Sequence, residues 1–205
     1  MKLHIILLSL LALGLAAVPA KAQDYSNGPI NGTTDAWTIN SGFVVSDTFT
    51  VSGPGLVTLS FGAWAFPGDV LESVQIAITS SEFGGASFFN GVVNFTQSGC
   101  SSNQFGFNVC TETSSLFFLN LAAGSYWLNL ENAVVNTGDP IYWDENSGPS
   151  SASENSVGTI PSEAFTILGM SSTTSTTGTV PEPSSVMLLG SGILGLAGVL
   201  RRKLF

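Results

Sequence analysis

The stretch FVVSDTFTV, Phe43–Val51, decides the fold class. Phe43, Val45, Asp47, Phe49 and Val51 are spaced by two residues, and all but Asp47 are apolar. The positions between them are Val44, Ser46, Thr48 and Thr50. Successive side chains of a β-strand point to opposite faces of the sheet, so this spacing predicts a strand with one buried face. An amphipathic helix would instead need apolar residues at intervals of three and four.

The same alternation recurs along the middle of the chain. It predicts further strands at 37–40, 56–61, 74–79, 93–96, 117–121, 126–131, 140–143 and 164–168. Turn residues such as Ser52-Gly53-Pro54-Gly55 separate these segments, and no helical stripe longer than two turns occurs. Nine or ten short strands of this kind predict an all-β fold, a single antiparallel β-sandwich of jelly-roll or immunoglobulin-like type. The Ser-rich stretch 147–156 predicts an exposed loop.

The distribution of charge restricts what this domain can do. Thirteen of the 14 acidic residues lie between Gln23 and Thr179, and this segment contains no Lys, Arg or His. Such a surface repels phosphate backbones, which excludes nucleic acid as a partner. Because no cationic or imidazole side chain is available as a base, nucleophile or oxyanion clamp, we expect no catalytic residue, no cofactor and no enzyme activity.

Residues 1–22 have the pattern of a secretory signal peptide. Lys2 supplies the positive start, an apolar run follows, and Ala20-Lys21-Ala22 gives a small-x-small cleavage site. The pattern predicts a signal helix that brings the chain to the secretion machinery and is removed by signal peptidase, so that the mature chain starts at Gln23. A retained membrane anchor is the alternative.

The C-terminal segment combines three features in a fixed order. Pro181-Glu182-Pro183 precede an uncharged, mostly apolar run, and Arg201-Arg202-Lys203 follow it. The run is ~16–17 residues long, near the lower limit for a helix that spans the hydrocarbon core. Cationic residues beyond such a run mark its cytoplasmic end. The segment therefore predicts a transmembrane helix at 184–200, and a plain tail anchor is one interpretation of it.

This order of features resembles the PEP-CTERM sorting signal of Gram-negative bacteria. The same tail is also called the C-terminal domain of ice-binding proteins, although that name describes sorting. The resemblance implies that exosortase, a membrane protease-transpeptidase, processes the chain near Pro181-Glu182-Pro183. The expected location is a transient inner-membrane anchor, then the cell surface or the extracellular matrix. The expected organisation is a signal peptide at 1–22, a β-sandwich ectodomain at 23–170, a Ser/Thr-rich linker at 171–179 and the sorting tail at 180–205.

The chain has two cysteines, Cys100 and Cys110. An isolated pair in an exported chain is typical of a disulfide, which we predict here. The alternative is a metal-binding pair, but zinc would lack further Cys or His ligands in the mature chain.

The segment Tyr142-Trp143-Asp144-Glu145 is the candidate ligand site. Together with Asp139 and Asn146 it is the densest oxygen-rich group, and such a loop can hold calcium, although its spacing does not match an EF-hand. The two acids could also belong to a glycosidase pair, and the two aromatic rings could stack on a sugar. The competing interpretation is a solvated acidic loop beside rings that close the core, with no metal site.

Two functions of different class agree with these features. The first is a non-enzymatic surface or matrix protein with a structural or adhesive role. The second is a module that binds or cleaves carbohydrate, with exopolysaccharide as the candidate partner. The sequence predicts a simple discriminator, because the second function requires Tyr142 and Trp143 to line an open groove beside paired carboxylates.

Overall fold

The computed structural model of the chain describes residues 24–169. The predicted signal helix, linker and transmembrane helix lie outside these residues. The described part contains strands and no α-helix, and therefore no helix that could span a bilayer.

Fourteen strands form within the described part, several of them longer than the alternation predicts. They are β1 Tyr25–Ser26, β2 Ala36–Thr38, β3 Val44–Val51, β4 Gly55–Ala65, β5 Leu71–Ser81, β6 Gly84–Ser102, β7 Asn108–Ser114, β8 Phe117–Leu119, β9 Gly124–Val135, β10 Tyr142–Asn146, β11 Ala152–Glu154, β12 Gly158–Ile160, β13 Ser162–Glu163 and β14 Phe165–Leu168. The prediction of an all-β fold is confirmed.

All strand pairs are antiparallel, and the strands form one continuous sheet in the order β1-β14-β4-β7-β6-β5-β9-β3-β11-β12. The 19-residue strand β6 joins the two halves of this order. Its first part pairs with β5, and its last part pairs with β7. The sheet thus curls over a single apolar core. Strand β10 lies off this order and pairs with β4, β2 and β13.

Aromatic rings connect the two ends of the curled sheet. Tyr25 lies 6.2 Å from Phe49 and 5.5 Å from Phe165, measured between ring centroids. Phe49 belongs to β3 and Phe165 to β14, which stand far apart in the strand order. Such pairs contribute ~0.5–1.5 kcal/mol each beyond the burial of their area. The curl therefore closes on itself by packing of side chains.

The alternation in Phe43–Val51 is confirmed in β3 except at Phe43, which is exposed, and at Ser46, which is buried although it alternates with the core-facing residues. Val45, Phe49 and Val51 are buried as predicted, and Asp47 is buried on the same face. Phe43 precedes the strand and is exposed. The predicted loop at 147–156 is partly wrong, because Ala152–Glu154 form a buried strand that pairs with β3.

Candidate functional site

The predicted strand at 140–143 is confirmed for Tyr142 and Trp143, but the expected loop at Asp144 and Glu145 is wrong, because the strand continues through both acids. The segment Tyr142–Glu145 therefore lies within the sheet. It forms most of strand β10, which is hydrogen-bonded to β2 and β4. Trp143 is fully buried, packs on Phe61 and Phe165, and donates its indole N–H to the carbonyl oxygen of Ala164 at 3.0 Å. Its ring closes the core and presents no face to a sugar.

Tyr142 lies on the outer face of the sheet, where it is half-buried. Its ring centroid is 5.4 Å from that of Phe107, which also contacts Phe66 at 4.9 Å. Phe105 stacks on Trp64 at 5.6 Å and is 52% exposed. We refer to Trp64, Phe66, Phe105, Phe107 and Tyr142 as the aromatic cluster. It is the surface at which the protein can offer rings to a ligand.

Asp144 also points to the outer face but is covered by residues 28–35, which we call the strap. Its carboxylate accepts hydrogen bonds from the backbone N–H groups of Asn31 at 2.5 Å and Gly32 at 2.8 Å, and from the indole N–H of Trp64 at 2.6 Å. Burial raises the pKa of Asp144, and these three donors act in the opposite direction. Asp144 therefore holds the strap against the sheet.

Gly62 on β4 makes room for this arrangement. A β-carbon at this position would lie 2.9 Å from the β-carbon of Asp144 and 2.9 Å from a side-chain carbon of Ile30 in the strap. Any larger residue would push the strap away from the sheet. The position of the strap thus depends on the lack of a side chain at Gly62 and on the buried carboxylate of Asp144.

Glu145 points to the opposite face of β10 from Asp144, as neighbouring residues of a strand do. One of its carboxylate oxygens accepts a hydrogen bond from the indole N–H of Trp37 at 3.1 Å. Because Asp144 and Glu145 face opposite sides, they cannot ligate one ion or act on one glycosidic bond together. Within residues 24–169, no three Asp, Glu, Cys or His side chains come together in a way that could hold a metal ion.

The carboxyl group that the sequence analysis missed is Glu163. It stands opposite Glu145 in the β10–β13 pair and is fully buried. Neither of its carboxyl oxygens has a hydrogen-bond partner in the described part of the chain. Burial, and then the negative charges of Asp47 and Glu145, raise the pKa of Glu163 well above its ordinary value. Burial without a donor therefore favours the protonated form of this group.

Asn27 and Asp47 connect the segments around Glu163. The amide nitrogen of Asn27 lies 2.9 Å from a carboxylate oxygen of Asp47, 2.7 Å from the hydroxyl of Ser150 and 2.9 Å from that of Ser162. The same Asp47 oxygen accepts the backbone N–H of Glu163 at 2.9 Å. Burial raises the pKa of Asp47, and these hydrogen bonds act in the opposite direction. Asn27, Asp47 and Ser162 are buried, so the network joins these segments inside the fold.

Two grooves lie beside the strap on the outer face of the sheet. The first has a volume of about 340 Å³, and its lining includes Ser26, Ile30, Ser60 and Thr166. The second has a volume of about 320 Å³, and its lining includes Ile30, Asn31, Thr33, Ser101, Asn103 and Thr111. No charged residue lines either groove. Uncharged hydroxyl and amide groups beside apolar carbons suit a neutral polar ligand.

The predicted sorting residues Pro181, Glu182 and Pro183 and the basic cluster Arg201, Arg202 and Lys203 lie outside the described residues. A family model for the PEP-CTERM protein-sorting motif matches residues 179–203, which include all six. The chain carries a PEP-CTERM sorting motif. The motif indicates a protein that is exported to the surface or extracellular space and that has exosortase as its processing partner. No curated protein matches the chain.

The PEP-CTERM protein has the predicted disulfide, between Cys100 on β6 and Cys110 on β7. The two Cα atoms are 4.1 Å apart. The pairing of β6 with β7 shifts register between Ser98 and Ser101, and Gly99 in this bulge has a φ of 62°, which favours glycine. The bulge brings Cys100 opposite Cys110. The disulfide links β6 and β7, and residues of both strands line the second groove.

Proposed function

We propose that the chain is a non-enzymatic surface or extracellular-matrix protein of a Gram-negative bacterium, with a structural or adhesive role. The PEP-CTERM match at residues 179–203 carries this proposal. Signal peptidase removes residues 1–22, and the domain at 23–170, a β-sandwich of jelly-roll or immunoglobulin-like type, is exported. The helix at 184–200 anchors the chain in the inner membrane, with Arg201–Lys203 in the cytoplasm, until exosortase acts.

Three properties of the domain support a role without catalysis. The segment from Gln23 to Thr179 has no Lys, Arg or His. The two acids of the predicted ligand site face opposite sides of β10, and Asp144 is engaged by three donors. Trp143 belongs to the core. The side chains with catalytic chemistry are thus used to hold the fold.

The sorting step is tested by replacing Pro181-Glu182-Pro183 with alanines in a host that has exosortase. We expect the wild-type chain to lose its tail and leave the membrane, and the variant to remain full-length and membrane-bound. Alanines at Ser171-Ser172-Thr173 in the linker are the matched control and should be processed normally. Equal release of the triplet variant and the wild type would leave a plain anchor as the better account.

Carbohydrate binding is the second candidate, and the aromatic cluster is the observation that favours it. Phe105 and Tyr142 bring ring surface to the outer face within one cluster, and contiguous apolar patches, unlike single exposed rings, often mark binding sites. Affinity electrophoresis of the exported chain in gels containing polysaccharide tests this candidate. Phe105→Ala should weaken retention, whereas Phe118→Ala, which removes an equally exposed ring from β8, should not. Equal retention of both variants and the wild type would remove the cluster as a binding site.

A further inference from the structure

We propose that the two strap grooves form a binding site for a neutral polysaccharide chain. The proposal deepens the carbohydrate-binding candidate and rests on it. Both grooves are lined in part by Ile30, so they adjoin on the outer face of the sheet. Between them they extend from β14 across β4 and β7 to β6, strands that lie ~4.8 Å apart. A site of this length accommodates several sugar residues of one chain.

The charge of the lining selects a neutral ligand. The domain has 13 acidic residues and no basic one between Gln23 and Thr179, and yet no lining residue of either groove is charged. A cationic ligand would find no carboxylate in the grooves, and an anionic ligand would be repelled by the acidic domain around them. An uncharged ligand that is rich in hydroxyl groups meets neither obstacle.

Hydroxyl groups line parts of both grooves. Ser60 and Thr166, which are register partners on β4 and β14, line the first groove, and Ser101 and Thr111 line the second. The hydroxyls of Thr166 and Thr111 make no hydrogen bond to any group within residues 24–169. They remain free to bond a ligand. Because a sheet holds them at fixed spacing, little order has to be gained on binding.

Asn103, which lines the second groove, has an amide group that is only partly satisfied. Its carbonyl oxygen accepts the backbone N–H groups of Phe105 and Phe107, both at 3.0 Å, which fixes the orientation of the amide. The amide nitrogen is shielded from solvent and has no acceptor in the described part of the chain. An unsatisfied buried donor costs ~1–3 kcal/mol.

The groove and the aromatic cluster are parts of one surface. Asn103 lines the groove, and Phe105, two residues later, stacks on Trp64. The side chain of Gln104 donates to the carbonyl oxygen of Thr33 at 3.2 Å and so ties this hairpin to the strap. Ile30 adds an apolar contact that suits the C–H face of a sugar ring. Chain-like ligands could thus contact hydroxyls in the groove and rings beside it.

The test is affinity electrophoresis of the exported chain, or of the full-length chain in detergent if it is not released. Dextran, hydroxyethylcellulose and galactomannan serve as neutral probes and alginate as the acidic one. The double variant Thr111→Val, Thr166→Val removes two hydroxyls and keeps the β-branched shape. Thr50→Val, at an exposed position of β3 outside the grooves, is the matched control. Loss of two hydrogen bonds should lower affinity about tenfold.

We expect wild type and Thr50→Val to be retained equally by at least one neutral probe, and the double variant to be retained about tenfold less. The proposal is overturned if no neutral probe retains the wild type, if alginate alone retains it, or if the double variant binds as the wild type does. A chain that is sorted normally but fails this test keeps its surface role. Sensitivity to Phe105→Ala without sensitivity to the double variant would assign binding to the aromatic cluster alone.

Discussion

Asp144 and Glu163 lie close together in the sheet, since the backbone N–H of Ala164 bonds to the carbonyl oxygen of Asp144 at 2.8 Å. Both carboxyl groups are fully buried, and no cation of the domain can pair with either. Asp144 accepts three hydrogen bonds, whereas Glu163 accepts none from the described residues. The difference shows that a domain without bases can bury an acid in two ways. It can surround the carboxyl group with N–H donors, or it can leave the group without donors, where burial favours its neutral form.

The comparison predicts its largest effect for Asp144→Ala. The change leaves two backbone N–H groups and the indole N–H of Trp64 without an acceptor and releases the strap. We expect a loss of about 3–5 kcal/mol in the free energy of unfolding, since each buried unsatisfied donor costs ~1–3 kcal/mol. Urea unfolding measures this loss. Asp139→Ala, at an exposed turn position, is the control, and a loss below about 1 kcal/mol for Asp144→Ala would show that the strap is held otherwise.

Glu163→Met should have the opposite sign. Methionine has a similar length and removes a carboxyl group that makes no hydrogen bond, while the backbone bond to Asp47 stays. Replacing a buried, uncompensated acid with an apolar group is typically neutral or stabilising by ~1–4 kcal/mol. We expect a gain of about 1–2 kcal/mol at pH 8 and a smaller one at pH 5, by urea unfolding. Destabilisation at both pH values would mean that Glu163 has an undescribed partner.

A smaller effect concerns Glu112 on β7, for which burial raises the pKa to about 7. A carboxyl whose pKa is raised in the folded state stabilises fully below its unfolded pKa of ~4.3, and this contribution is lost as the pH rises through the folded pKa. We therefore expect the Tm of the domain to fall between pH 5 and pH 8. Glu112→Gln should reduce the slope, whereas Glu72→Gln, at an exposed position of β5, should not. A pH-independent Tm in the wild type would contradict the expectation.

We expect calcium to have no effect on the Tm of the domain. Asp144 is saturated by N–H donors, and Glu145 faces the other side of the strand. Melting curves recorded with calcium and with a chelator should coincide. If chelation lowered the Tm by many degrees, a bound calcium ion would have to neutralise a buried carboxyl group such as Glu163. The contrast between Asp144 and Glu163 would then have to be explained by the ion.

The period-two pattern was sufficient to predict the class of fold, because burial of alternate side chains is a local property of each strand. The same pattern contained an unused sign of the buried acids. Asp47 is in step with Val45 and Phe49, and Glu163 is in step with Phe165 and Ile167, so both occupy core-facing positions. A charged residue in an apolar register predicts a buried group that needs either donors or a proton.

The strap, the grooves and the aromatic cluster could not be predicted in this way. The backbone N–H of Asn31 bonds to the carboxylate of Asp144, 113 positions away, and Trp64 stacks on Phe105 in the turn between β6 and β7. Such contacts depend on how the sheet curls, which no local period encodes. The densest acidic cluster was therefore taken for a loop, although Tyr142–Asn146 is a strand paired on both sides.

The pairing of β1 with β14 determines how the domain carries mechanical load. Tyr25 and Ile167 are register partners, and the backbone N–H of Gly169 bonds to the side chain of Asp24 at 2.9 Å. A force that draws residues 24 and 169 apart opens this two-residue pair one bond at a time and pulls Tyr25 away from Phe49 and Phe165. A force applied at residue 169 against the body of the domain instead loads β14 along β4 in shear, over four residue pairs at once. A protein held through its C-terminal segment would thus be pulled in the direction in which its last strand resists best.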